Sequence, residues 1–113
     1  MPDACIFCKI IKKEIPAKIR LENDDFIAFD DINPKASIHV LLIPKKHIHS
    51  IAGAEDSDFE LIGKMLMTAR DLAKELNLTS GYRLVFNNGA DSGAEVDHLH
   101  LHILGGGKLG KMA

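Results

Sequence analysis

The sequence predicts an α+β chain: a mostly antiparallel five-stranded sheet with one long and one short helix. Strand-like runs lie on both sides of a single long amphipathic segment, and one long helix cannot supply the several crossovers a wholly parallel sheet requires. The last apolar run, His98-Leu99-His100-Leu101-His102-Ile103-Leu104, alternates with the period of two that marks a strand. At 113 residues the chain fits one domain, residues 1–113, long enough to bury a core without disulfide or metal staples.

Taken in order, Cys5 to Glu14 reads as a short helix of two or three turns, ended by Ile15-Pro16 because a residue before proline is pushed out of α geometry. Ile19–Leu21 and Phe26–Phe29 read as strands around the polar turn Glu22-Asn23-Asp24-Asp25. Asn33-Pro34 marks a loop. Ile38 to Ile43 is apolar on both faces for most of its length, which predicts a central strand closed by Pro44. Phe59, Ile62, Leu66, Ala69, Ala73 and Leu76 fall at helical steps, with Ser57 and Glu60 as a capping pair and Asn77 to Gly81 bracketing the end. Tyr82–Phe86 is a strand, Asn87-Asn88-Gly89 a turn, and Val96–Leu104 the final strand, stopped by Gly105-Gly106-Gly107.

A net charge of −2 with no long basic run argues against a footprint for a nucleic acid polymer. No segment is long and apolar enough to span a membrane, and Met1 to Cys5 has no charged and apolar leader pattern. The two cysteines, Cys5 and Cys8, would close too small a loop for a useful disulfide, which points to a reducing compartment, the cytoplasm.

In a strand, alternate side chains share a face, so His98, His100 and His102 are expected to point one way while Leu99, Leu101 and Ile103 enter a core. Three imidazoles on one face can present a nucleophile among donors and acceptors, or bind a metal. Cys5 and Cys8 have the spacing that lets two thiolates grip one metal, though a closed tetrahedral site needs two more ligands.

The pattern His98 to Leu104, followed by Gly105-Gly106, resembles the motif of the histidine-triad family. So do Phe7-Cys8-Lys9-Ile10-Ile11, Ala28-Phe29-Asp30-Asp31-Ile32-Asn33-Pro34, His39 to Ile48, and Asn87 ahead of Gly93, all similar to segments of its Hint branch, whose fold this implies. The resemblance implies hydrolysis of purine nucleoside 5′-monophosphate phosphoramidates, of AMP or GMP type, through a nucleotidyl intermediate on His100, with no cofactor for catalysis. His98, His102 and His39 resemble the family's other active-site imidazoles. Asp31 matches the carboxylate that accepts from ribose hydroxyls. Phe7, Ile10, Phe29 and Ile32 match the slot for the base, and Asn87, Glu95 and Val96 match positions near the phosphate.

Zinc-containing relatives imply a structural Zn²⁺ on Cys5, Cys8, His47 and His98. The branch also implies a homodimer. Where members commonly carry glutamine and then a small polar residue, this chain has Ala94 and Glu95. Two alternatives stay open: a dinucleoside polyphosphate hydrolase, and a nucleotide- or zinc-binding interaction module with vestigial catalysis.

Overall fold

The structure, a computed structural model, describes residues 5–112. Met1 to Ala4, the segment read above against a leader, and Ala113 lie outside the described residues. The elements run α1 (Ile6–Ile11), β1 (Ile19–Glu22), β2 (Phe26–Asp30), β3 (Ile38–Pro44), α2 (Phe59–Glu75), β4 (Tyr82–Val85) and β5 (Leu101–Gly105), with short 3-10 turns at Asp56–Asp58 and Ala90–Ser92. The strands form one sheet in the order β1-β2-β3-β5-β4, antiparallel at every junction. The fold class read from sequence is therefore correct, and β3 is central as expected. No helix among the described residues is long and apolar enough to cross a membrane.

Both helices end on a left-handed residue that closes a Schellman motif. Lys13 (φ 64) ends α1, where the Lys13 amide donates to Ile10 and the Glu14 amide to Lys9. Asn77 (φ 61) ends α2 in the same way, with the Leu78 amide donating to Ala73. α1 is thus shorter than the run to Glu14 predicted, because Lys13 stops it before Pro16 has any influence.

The start and phase of α2 also differ from the sequence reading. The capping box is Glu55 with Asp58, two residues ahead of Ser57 and Glu60. Met65, Ala69, Leu72 and Ala73 form the buried stripe, while Phe59 is 71% exposed and Leu66 36%. The real stripe is rotated because Met65 and Leu72 fill the space over the sheet.

Pairing sorts the sheet into two faces. Phe26, Ala28, Val40, Leu42, Leu101 and Ile103 pack against α2 in the larger core. Ile27, Phe29, Leu41 and Ile43 face the other way and pack against Phe7 and Ile10 of α1. That second layer covers only part of its face. The remainder, over β3, β5 and β4, is the floor of a cleft.

Candidate active site

The cleft has a volume of about 1180 Å³, and its floor follows from strand register. Arg83 pairs with Leu104, and Leu104 with His39; Val85 pairs with His102, His102 with Leu41, and Leu41 with Phe29. Directly paired residues of antiparallel strands share a face. Two parallel rows of side chains therefore cross the cleft: Arg83, Leu104 and His39 in one, Val85, His102, Leu41 and Phe29 in the other. Asp31 extends the first row, its amide donating to the His39 carbonyl at 2.9 Å.

All of the residues the sequence singled out for nucleotide line this cleft: Phe7, Ile10, Phe29, Asp31, Ile32, Asn87, Glu95 and Val96, together with His39, His100 and His102. His98 does not. Strand pairing begins only at Leu101, not at Val96, so the alternation that should align three rings holds for His100 and His102 alone. The chain around His98 is irregular, and its ring turns beneath α1, fully buried. Its Nε2 donates to the Pro44 carbonyl at 2.9 Å, while Nδ1 lies 3.4 Å from Cys5 Sγ and 3.5 Å from Cys8 Sγ. With both nitrogens engaged, the His98 ring cannot bond a phosphate in the cleft, which corrects that part of the expectation.

Hydrogen-bond direction assigns a tautomer to each remaining imidazole. His100 Nδ1 donates to the His98 carbonyl at 2.7 Å, which leaves the lone pair on Nε2. His39 Nδ1 accepts from the Lys35 amide at 3.0 Å, so the proton of the neutral ring sits on Nε2 and is donated to His102 Nδ1 at 2.9 Å. His102 therefore carries its proton on Nε2; the Asn87 Nδ2 at 3.5 Å is itself a donor, so among the described residues this N–H meets no acceptor and faces the cleft. Burial holds both rings neutral: desolvation pushes His39 down, against the nearby Asp31, and pushes His102 down to about 4, with His100 and His39 adding to it.

Asp31 sits at the other end of this relay, its Oδ2 3.4 Å from His39 Nε2 and its Oδ1 accepting from the Asn33 amide at 2.9 Å. Asp31, His39 and His102 are close enough together to suggest a metal site. The Lys35 amide argues against it. It occupies the Nδ1 lone pair of His39, so a metal on Nε2 would require an imidazolate.

The cysteine cluster is different. Cys5, Cys8, His47 and His98 converge, their donor atoms all within 4.8 Å of one another. Cys8 Sγ lies 3.3 Å from His47 Nδ1 and 3.5 Å from His98 Nδ1. Bond lengths of about 2.3 Å to sulfur and about 2.05 Å to nitrogen give a tetrahedral S···N edge of about 3.5 Å, so these residues fit zinc. The His98 bond to Pro44 also leaves Nδ1 unprotonated, as a metal ligand must be. Burial and the Cys5 thiol push the Cys8 thiol up to about 11, the penalty a bound cation would reverse.

Phe7 separates the two clusters, its ring centroid 6.0 Å from that of His98 and 5.1 Å from that of His100. Sequence reasoning missed the Lys35 amide, a backbone group that carries no residue-type signal. It also missed Arg83 and Leu104 on the cleft floor, which register between the last two strands could have revealed.

Residues 4–111 match a family described as "Scavenger mRNA decapping enzyme C-term binding". A HIT-like protein of Synechocystis is 50% identical over 94% of this chain and 93% of its own length, and Protein HitA of Neisseria gonorrhoeae is 48% identical over 91% and 96%. A solved HIT family hydrolase from Clostridium thermocellum superposes with a TM-score of 0.94 at 42% identity, covering 98% of each chain. By sequence over nearly its whole length, and by a fold whose cleft holds the motif's last two histidines, this chain belongs to the histidine-triad family.

Proposed function

We propose that this single-domain protein hydrolyses purine nucleoside 5′-phosphoramidates, with His100 as nucleophile. The observation that carries the reading is the free Nε2 lone pair of His100 facing the cleft, fixed by the His98 carbonyl. Nε2 forms a bond to phosphorus as the P–N bond to the leaving amine breaks, the amine takes a proton from solvent, and the proton later lost by the attacking water returns to solvent. Water then attacks phosphorus, the N–P bond breaks, and its electron pair returns to His100. The His102 Nε2–H group, held in orientation by His39 and the Lys35 amide, donates to the phosphoryl oxygens as their charge grows, with Asn87 beside it. Glu95 and Val96 flank the phosphate on the loop side. Asp31 accepts from the ribose hydroxyls. Phe7, Ile10, Phe29 and Ile32 take the base, a role that suits the 92% exposure of Ile32, an apolar side chain in need of a partner.

A structural Zn²⁺ on Cys5, Cys8, His47 and His98 would tie α1 to the sheet and hold Phe7 against His100, with no part in the chemical step. The free thiols of Cys5 and Cys8 suit a reducing cytoplasm. Dimerisation through β4 is supported by its place at the sheet edge, with Tyr82 and Leu84 more than a third exposed, and by Phe59 and Met67 on α2 at 71% and 49%. Sedimentation at micromolar concentration tests it.

The deciding experiment is turnover of an adenylate phosphoramidate by the wild type and by His100→Gly, with trapping of labelled nucleotide on protein. Turnover and label in the first, and neither in the second, is the expected result. A wild type that binds AMP but never turns over would favour the vestigial module, and faster cleavage of a diadenosine polyphosphate would favour that alternative.

A further inference from the structure

We propose that Arg83 forms a subsite for a negatively charged leaving group, which makes anionic amines or a second phosphate favoured over neutral groups. The inference rests on the reading above, which seats the ribose on Asp31 and the phosphorus at His100 and His102.

The placement follows from register. Asp31, His39, Leu104 and Arg83 form one row across four neighbouring chain segments, with all four side chains in the cleft. Strands lie about 4.8 Å apart, so the backbone of Arg83 stands about 10 Å from that of His39 and about 14 Å from that of Asp31. That span is close to the length of a nucleoside monophosphate. With the ribose at the acidic end and phosphorus over the middle of the floor, the group bonded beyond phosphorus extends toward Arg83.

Arg83 is also an unusual side chain for its position. It is half-buried on the floor of the cleft, yet among the described residues no carboxylate pairs with it. Its one side-chain hydrogen bond among the described residues runs from Nη2 to the Gly110 carbonyl at 2.8 Å, which leaves Nε and Nη1 without an acceptor among those residues. The other basic residues lining the cleft, Lys18 and Lys35, lie toward β1 and the β2–β3 loop, and Lys18 has Asp30 at 3.8 Å. A guanidinium with open donors beside a site for phosphate chemistry is suited to a carboxylate or a phosphate, with which it makes a charge-assisted hydrogen bond. The bond to Gly110 also brings the end of the chain across this side, where Met112 joins the lining.

The test compares adenosine 5′-phosphoramidates of glycine, whose carboxylate would meet Arg83, and of glycinamide, which is uncharged. The wild type is expected to favour the glycine amide in kcat/KM. Arg83→Gln should lower the ratio of the two about tenfold, as expected for one charge-assisted bond, and Arg83→Lys should restore part of it. A ratio that survives Arg83→Gln, including one in which both substrates slow equally, overturns the proposal and leaves only a tether for the tail. If neither amide turns over in the wild type, the nucleotidyl-transfer reading fails instead. Affinities for AMP and ADP then decide the subsite: an ADP advantage lost in Arg83→Gln supports it, and equal affinities in the wild type overturn it.

Discussion

His100 Nδ1 and the His98 carbonyl oxygen lie 2.7 Å apart, so His98 orients the proposed nucleophile through its backbone while its ring serves the cysteine cluster. The two neighbours of His100 in the motif therefore differ in what their side chains contribute. His98→Cys, which keeps a ligand for the proposed zinc, is expected to lose less than tenfold in turnover. His102→Ala removes a donor aimed at the phosphate and is expected to lose about a hundredfold or more. Steady-state kinetics on the two variants check this, and equal losses would show that the His98 ring takes part in the chemistry.

The buried relay makes stability depend on pH. In the unfolded chain His102 titrates near its ordinary 6.5, and in the folded chain burial lowers it to about 4. Between those values the unfolded state binds the extra proton, so its contribution to stability is complete above about pH 6.5 and is lost as the pH falls toward 4. The slope is on the order of 1 kcal/mol per pH unit. His39 shifts in the same direction. His102→Asn should lose about 1–2 kcal/mol less than the wild type between pH 7 and pH 5, measured by urea unfolding, and an unchanged difference would refute the assignment.

Much of this site was legible in the alternation of His100 and His102 with Leu101 and Ile103, because period two holds wherever a strand is paired. It failed at His98, where pairing has ended, since nothing local in the sequence reports where a ladder stops. The cysteine cluster gathers residues 5, 8, 47 and 98, and only the family resemblance brought those four together. The phase of α2 was misread at Phe59 and Leu66 because apolar residues occupy more than one face, and only packing against the sheet selects Met65 and Leu72.

Metal content should be one zinc per chain. Cys5→Ser or Cys8→Ser is expected to abolish it, whereas His39→Asn and His102→Asn are expected to keep it, because the Lys35 amide takes the Nδ1 lone pair of His39 and leaves its Nε2 protonated, unable to ligate as a neutral imidazole. Loss of zinc should lower the melting temperature by several degrees and raise KM, since α1 carries Phe7 beside His100. Metal analysis of purified variants decides the matter, and two metals per chain would show that the cleft binds one.

Leu101 is fully buried between the two cleft histidines and points the opposite way, into the packing against α2. Leu101→Ala should cost about 2–5 kcal/mol through lost burial and the cavity left behind. Denaturant midpoints measure the loss. AMP affinity at low temperature should change little, because His100 and His102 are held by the His98 carbonyl and by His39 rather than by that core contact.

Ala94 lines the cleft but has no side-chain donor. The Ala94 amide is itself directed to Ser92 Oγ at 3.3 Å, and Gly93 before it adopts φ 85. These contacts fix the course of the segment along the cleft. Ala94→Gln should therefore add a hydrogen bond to a phosphoryl oxygen and raise kcat/KM for an adenylate phosphoramidate about three- to tenfold. A gain confined to kcat would mean that the bond forms only as charge develops, and a gain confined to KM that it forms equally in the bound substrate. No gain in either would place residue 94 outside the reach of the phosphate and would move the site of transfer toward Asn87.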